Sequence, residues 1–408
     1  MAGTLSRPRQ RMPGRGGARL RAALLVLPLA GFVGAAFLAP LGTMLVRSVH
    51  DPVVADALPD TVALLRGWDG RAALPDAVFA AAARELLAAR EERTLGQVAT
   101  RVNRVEAGLR SVFTRSMRRL QGVETDDWRT AMVEADPAWG EARTWRALQR
   151  AGERWTARHY LNAVDRDRGP DGRVVRRPEE QRIYLQLFGR TFLVSLAVTA
   201  LCLVLGYPLA YGIAHAPPRR AALMLVGVLL PFWTSLLVRT TSWIVLLQSQ
   251  GVINDLLVAI GVIGDDQRLA MIYNMAGTLI AMTHVLLPFM VLPLYSVMRT
   301  IRPEYLRAAA SLGAGPVQAF VRVYWPQSLP GVGAGTLLVF IVALGYYITP
   351  ALVGGRTGQL ISNQIAYHMQ ESLNWGLAAA LGGILLTCVL IFFVIYDRVV
   401  GINRLRLG

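Results

Sequence analysis

Six apolar stretches of about 20 residues or more dominate the chain, at 22–46, 189–214, 221–247, 271–298, 330–350 and 373–396. Each is long enough to cross the roughly 30 Å hydrocarbon layer of a membrane. Lipid offers no partner to an exposed amide, so such segments must bond within themselves and fold as helices. The expected fold class is all-α: a polytopic membrane protein with six transmembrane helices and a helical periplasmic insert between the first and second. Of the residues, 53% are hydrophobic and 17% charged, and it is the bunching of the hydrophobic ones that rules out an ordinary soluble domain.

Every one of the 43 basic residues is arginine. Without lysine there is no P-loop G-x-x-x-x-G-K-[ST] and no Schiff-base or general-base lysine. The net charge of +16 is assigned to the cytoplasmic face of a membrane chain rather than to nucleic-acid binding. Arg7, Arg9, Arg11, Arg15, Arg19 and Arg21 precede the first span, and Arg219 and Arg220 lie between the second and third. Arg299, Arg302, Arg307 and Arg322 lie between the fourth and fifth, and Arg398, Arg404 and Arg406 follow the sixth. The short loops on the other side carry Arg268 and Arg356. By the positive-inside rule both termini are cytoplasmic, with lipid around the spans.

The organisation expected is a basic cytoplasmic tail (1–21), the first span (22–46), a periplasmic insert (47–187), a core of five spans (188–398) and a cytoplasmic tail (399–408). The first apolar run, about 25 residues, exceeds the 7–15 of a secretory leader and holds Pro28 and Pro40; it is expected to stay as an anchor. Cys202 and Cys388 fall inside spans and read as small buried hydrophobes.

The insert is rich in Ala, Leu, Arg and Glu and is expected to be helical over 75–122 and from about Asp126 to Tyr160. Trp128, Trp139, Trp145 and Trp155 suit either packing between its helices or a docking surface. Residues 165–182 read as a polar linker. Between the third and fourth spans, 248–268 predicts a short surface helix with a Gly-Asp-Asp turn.

No H-E-x-x-H, G-x-S-x-G or Cys–His pair at ligand spacing occurs, so neither catalytic residues, a metal nor a cofactor is expected. His50, His159 and His368 are widely scattered, His215 sits at a span boundary, and His284 lies in mid-span. Arg239 follows Pro231 within the third span. A central arginine costs about 2.5–3.5 kcal/mol on insertion scales, which calls for a partner, a water-filled path or snorkelling.

Between spans four and five lies a strip of another character, EYLRAAASLGAGPVQAFVRVYWPQSLPGV (304–332). Pro303 and Glu304 suit a helix start. Leu306, Ala309, Ala310 and Gly313 then share one small-residue face, and Gly313-Ala314-Gly315 ends the helix. Pro316 restarts one in which Val317, Phe320, Val321 and Tyr324 repeat the spacing, until Pro326 and Pro330 turn the chain into the fifth span. Two short helices on the cytoplasmic face (303–325) are predicted.

This strip resembles the EAA signature of permease subunits of ABC importers, with Ala308, Ala309, Gly313, Val323 and Pro326 at matching positions. Arg307 stands where the family usually has glutamate, and Trp325 where leucine usually precedes the proline. LGYPLAYGIAH (205–215), LLPFWTSLLVRTTSWIVLLQSQGVIN (229–254) and LLPFMVLPLYSVM (286–298) resemble the spermidine/putrescine branch. The similarity covers roughly 185–400 and the first span, not the insert.

The resemblance implies a coupling helix, with Glu304, Arg307, Ala308, Ala309, Gly313, Val323 and Pro326 set against a cytoplasmic ATPase. It also implies a second permease subunit, identical or different, and a periplasmic solute-binding protein. Proline-broken spans are expected to line the path, with Trp233, Arg239, His284, Tyr295, Tyr346 and Tyr347 as candidates. A membrane sensor is a rival, weakened by four further spans; a secondary transporter is another, weakened by the lack of an inverted repeat and of intramembrane acids. A polyamine-like solute is the best guess of substrate, although the spans offer aromatics and almost no acids.

Overall fold

Six helices long and apolar enough to cross a membrane are present among the described residues of the computed structural model, which describes 15–169 and 172–400. The basic tail at 1–14 and the C-terminal 401–408 lie outside them. The chain divides into two compact units, Met1–Thr156 and Ala157–Gly408.

The first unit begins with α1 (Arg15–Val33), a π-turn at Gly34–Leu38 and α2 (Ala39–Arg47). Pro28 is inside α1, and Pro40 lies just past the π-turn in a helical run that continues without a break, Ala39 N–H bonding five residues back to Gly34 O. The insert then folds as seven helices: α3 (Val53–Ala57), α4 (Pro59–Leu65), α5 (Asp76–Glu91), α6 (Leu95–Asn103), α7 (Leu109–Arg119), α8 (Trp128–Ala135) and α9 (Ala142–Ala151). The two long helices expected over 75–122 and 126–160 are thus divided, by left-handed Arg93 and Gly108 in the first and by Asp136-Pro137 and Gly152 in the second.

The insert has its own core. Phe79, Leu86, Phe113, Met117, Met132, Trp139, Trp145 and Leu148 are buried together. Trp139 Nε1 donates to Ser116 Oγ (2.8 Å) and Trp145 Nε1 to the Trp139 carbonyl (2.8 Å), so neither indole leaves an unpaired donor in the core. Glu85, also buried, accepts from the N–H of Asp60 (2.7 Å) and Thr61 (3.0 Å), fixing α4 on α5. Of the four tryptophans, Trp139 and Trp145 are core, Trp128 packs at its edge, and Trp155 is 67% exposed with its ring against His50.

Entry to and exit from the insert lie side by side. His50 and Trp155 pair as an antiparallel bridge; Asp51 N–H bonds to Arg154 O (2.9 Å) and Thr156 N–H to Val49 O (2.8 Å). An inserted domain whose ends meet can be excised with little strain on what remains. Replacing 53–152 by a short Gly-Ser joiner is therefore expected to preserve membrane insertion while impairing uptake or complex assembly; unchanged uptake in vesicles would show that the domain has no required role in transport.

The second unit opens with α10 (Arg158–Ala163) and a hairpin, β1 (Arg166–Arg168) paired antiparallel with β2 (Val174–Arg176), Asp167 opposite Val175. Residues 165–182 are thus a built element rather than a plain linker. Asp165, left-handed and 5% exposed, accepts from the N–H groups of Ile183 (3.1 Å), Tyr184 (3.1 Å) and Leu185 (2.8 Å). It closes the start of α11 (Tyr184–His215), where free N–H groups and the helix dipole both favour a carboxylate.

The third span is two helices, α12 (Pro218–Trp233) and α13 (Leu236–Leu247), parted at Thr234-Ser235 rather than continuous over 221–247. Pro231 lacks the N–H that would continue the ladder. A short helix follows, α14 (Val252–Ala259), which with α13 makes up the third apolar stretch long enough to span, Leu236–Ala259, rather than a separate surface helix. Its loop is held by Asn254 against Gln248 and Leu269 and by Arg268 against Asp255 and Asp265.

After α15 (Met275–Met298) comes α16 (Pro303–Ser311), and then α17 (Pro316–Ala319), a π-turn at Phe320–Tyr324 and α18 (Trp325–Leu344). Between the fifth and sixth spans the sequence reading missed two short helices, α19 (Ile348–Val353) and α20 (Ile361–Gln370), ahead of α21 (Trp375–Val400). They are too short for a periodic signal to stand out.

α11, α15 and α18 form the centre, around Val194, Val198, Met282, Leu286, Met290, Leu294, Val339 and Ala343. Gly331 and Gly335, one turn apart, let α18 press on the backbone of α15. A Cβ at 331 would lie 3.1 Å from Leu294 Cα, and one at 335 would lie 3.2 Å from Met290 O. Without a hydrophobic force between helices in lipid, such small-residue faces are what lets backbones pack.

Candidate coupling site

The strip after α15 is built by its breaks. Pro303 occupies the first turn of α16, and Glu304 lies in the same turn, against the positive end of the dipole. The helix ends in a Schellman motif: Ala314 N–H bonds to Ala309 O (3.0 Å) and Gly313 N–H to Ala310 O (3.0 Å). Gly313 is left-handed at φ +83° with open space where a Cβ would go. Backbone conformation, not internal crowding, is what requires glycine there.

The small-residue face does not all point outward. Leu306 and Ala309 are half-buried, Leu306 against the chain's own core, while Glu304, Arg307, Ala308, Ala310 and Gly313 are exposed. The outward apolar knob is instead Tyr305, Leu312 (89% exposed), Val317 (77%) and Val321. Leu312 had no signal in the periodicity, because it occupies the C-cap position where the helical repeat stops.

The second predicted helix is also different. From Pro316 to Leu344 the chain is one helical run, in which Pro326 and Pro330 are absorbed rather than turning it. The π-turn admits Pro326: Trp325 N–H bonds five residues back, to Phe320 O. Val323 is half-buried on that turn and Pro326 exposed just beyond it.

The six candidate path residues fall in three places. Arg239 sits at the α12–α13 break, where its Nη2 donates to the carbonyls of Pro231 and Thr234 (2.9 Å to Thr234) and its Nε to Thr234 Oγ1 (3.3 Å). The carbonyls freed by the break thereby gain a charged donor. One turn on, Trp243 Nε1 donates to His284 Nδ1 on α15 (3.2 Å), which leaves the imidazole proton on Nε2. Trp233 ends α12 with 79% of its surface exposed.

Tyr295 is elsewhere. It lies eleven residues past His284 on α15, about 16 Å along the axis at 1.5 Å per residue, with Arg299 Nη1 donating to its hydroxyl (3.0 Å). Tyr346 and Tyr347 mark the turn after α18, where Ser362 Oγ donates to Tyr346 O (2.6 Å) and Asn363 Nδ2 to Tyr347 O (2.7 Å). The structure therefore bonds His284 to Trp243, one helical turn beyond Arg239 on α13, and places Tyr295 and the 346–347 pair apart from them. No cluster of three or more metal-ligating side chains is found among the described residues.

A polytopic helical core with a capped, knob-bearing strip between two of its spans is the architecture of a membrane permease. The chain belongs to the family of binding-protein-dependent transport system inner membrane components, whose model matches residues 203–401, and is an ABC-importer permease similar to the spermidine/putrescine branch. The Escherichia coli K12 spermidine/putrescine transport system permease protein PotB is 35% identical over 217 residues, 53% of this chain and 78% of the relative. The Haemophilus influenzae protein of the same name is 34% identical over 223 residues, 54% of this chain and 77% of its own. The E. coli inner membrane ABC transporter permease protein YdcU is 32% identical over 202 residues, 47% of this chain and 64% of its own. A bacterial alginate ABC transporter structure shows a more distant likeness, with 18% identity, a TM-score of 0.44, and 55% of this chain and 80% of that one covered. The chain is thus a multi-pass inner-membrane transport protein, and the family model does not extend over its insert.

Proposed function

We propose that this permease passes a small organic cation of the polyamine class from a periplasmic solute-binding protein to the cytoplasm. A separate pair of ATPase subunits would drive it from the strip, and a second permease subunit would complete the path. The observation that carries the coupling role is the outward knob of Leu312 and Val317 around the Schellman-capped Gly313. Exposed apolar side chains on a rigid, well-capped helix end suit a groove in another protein better than water.

The substrate class rests on the relatives named for spermidine and putrescine. Within α11, α12, α13, α15, α18 and α21 the only carboxylate is Asp397. A polyamine would therefore be met by aromatic faces and carbonyl oxygens, through cation–π and dipole contacts, not by ion pairs. Arg239 keeps its positive charge while donating to the carbonyls of Pro231 and Thr234, so a polyamine is expected to pass away from the α12–α13 break.

ATP-dependent uptake of labelled spermidine and putrescine, in vesicles carrying the chain with its ATPase and binding protein, is the test. Saturable uptake with competition by other diamines is expected. A binding protein that takes neither polyamine in a solute panel would reject the substrate class.

Orientation follows from the arginine distribution. Reporter fusions at Arg220, Gly315 and Gly408 are expected to read cytoplasmic, and those near Gly122 and Gly264 periplasmic. A cytoplasmic signal near Gly122 would reverse the assignment of the insert.

A further inference from the structure

Two stripes of aromatic rings interleave where the strip meets the transmembrane core. On α11, Tyr207, Tyr211 and His215 follow one another at i, i+4 and i+8, on one face of the helix. On the π-turn and the start of α18 lie Phe320, Tyr324 and Trp325. Tyr211 meets Tyr324 edge-on at 5.1 Å and Phe320 at 5.9 Å; Tyr207 lies 4.9 Å from Trp325, and His215 5.5 Å from Tyr324. Tyr207 and Ser328 share a hydroxyl hydrogen bond at 2.9 Å.

We propose that Tyr211 and Tyr324 are positioning residues that carry movement of the strip into α11; this rests on the coupling reading above. Leu312 and Val317, on the docked knob, lead straight into the helical run 316–344, so a push on the knob reaches the π-turn first. A π-turn holds one residue more than an α-turn and is the weakest place in such a run, where register can change by one residue. Tyr324 is 1% exposed, yet its hydroxyl has no hydrogen-bond partner. A buried polar group left unsatisfied is costly, and since the hydroxyl makes no bond, the ring is what Tyr324 contributes to the contact.

The contacts on either side decide where the movement goes. α18 meets α15 through backbone, at Gly331 and Gly335, so those two helices move together. α11 meets its neighbours through side chains that can repack: the aromatic stripe on one side, and at Gly206 the side chains of Met290, Val291 and Leu287 of α15 on the other. α11 is also the longest helix described, 32 residues, and so carries a displacement at Tyr211 across the membrane.

Cys202 offers a reporter that requires no knowledge of the solute. It lies on α11, fully buried, with Sγ 3.5 Å from Thr283 O. With Cys388→Ser it becomes the sole thiol of the full-length chain. The rate of its reaction with N-ethylmaleimide is measured in membranes with the co-purified ATPase, with and without ATP and vanadate.

ATP with vanadate is expected to change the labelling rate in the otherwise wild-type chain. In Tyr211→Leu and Tyr324→Leu that change should fall by about fivefold or more, the low end of common coupling factors, with ATPase still bound. Tyr211→Phe and Tyr324→Phe, which keep the rings, should respond as wild type does, which separates the relay from a folding defect. Leucine variants that keep the response overturn the relay, as does their loss of ATPase, which would make the rings part of the docking surface. A bound ATPase with no response at Cys202 in the wild-type background overturns it too. An ATPase that never co-purifies with the wild-type chain instead rejects the importer coupling on which the relay rests.

Discussion

Gly313→Leu is expected to abolish uptake and to weaken co-purification of the ATPase while the chain still inserts at near-normal level. Position 313 is held at φ +83° by the Schellman closure of α16. An L-residue with a Cβ pays roughly 1–2 kcal/mol for left-handed backbone, and leucine has no local hydrogen bond to offset it. The helix end either keeps that strain or opens, moving Leu312 out of register with Ala314 and Pro316. Nothing lies within 4 Å of the added Cβ inside the chain, so the core is not disturbed and the damage stays at the docking face.

Gly313→Asn separates backbone strain from bulk, because asparagine tolerates the left-handed region. It is expected to retain most ATPase binding if strain is the cause. Arg307→Ala, on the exposed rim, should be milder, since an exposed charge typically contributes about 1 kcal/mol or less. Uptake, hydrolysis and co-purification are measured on the same membranes. Normal transport by Gly313→Leu with its ATPase bound would remove the strip from the coupling role.

The second large effect is expected from Arg239→Leu. The guanidinium donates to Pro231 O, Thr234 O and Thr234 Oγ1 at the break between α12 and α13. Removing it takes from the carbonyls of Pro231 and Thr234 the charged donor they share, at about 1–3 kcal/mol for each left unsatisfied. Uptake is expected to fall by roughly tenfold or more, as 1.4 kcal/mol corresponds to a factor of ten. Arg239→Lys should recover part of the loss, because an ammonium reaches one acceptor well but lacks the planar fork. The comparison is made on initial uptake rate at equal membrane abundance. Wild-type rates in Arg239→Leu would show that the break is held by other contacts.

Arg239 also shows how far the residue pattern could be read. An arginine in a span after a proline signals an unusual site, and from sequence a partner, a water-filled path and snorkelling all fit it, snorkelling being the plainest. The choice between them depends on which carbonyls the guanidinium meets, and those are set by the α12–α13 break at Thr234-Ser235. His284 is similar: its mid-span position was legible, but its tie to Trp243, 41 residues away in the chain, is a product of helix packing. The tryptophans of the insert divided for the same reason, Trp139 and Trp145 into the core and Trp155 to the surface, because burial depends on how the short helices stack.

Span count, arginine asymmetry and the capped strip are local or compositional properties. Apolar run length against bilayer thickness, and a Pro-Glu start with a glycine stop, act through the chain's own neighbouring residues, so the sequence by itself determined the number of membrane helices and where α16 begins and ends, though not the course of the third span. The tertiary structure decided what adjacency requires: that Asp165 closes α11, that Leu306 turns inward while Leu312 turns out, and that 316–344 runs on as one helix through a π-turn. Each depends on a partner distant in sequence or on a small difference between competing turn geometries, and no pattern along the chain encodes either until the helices are packed.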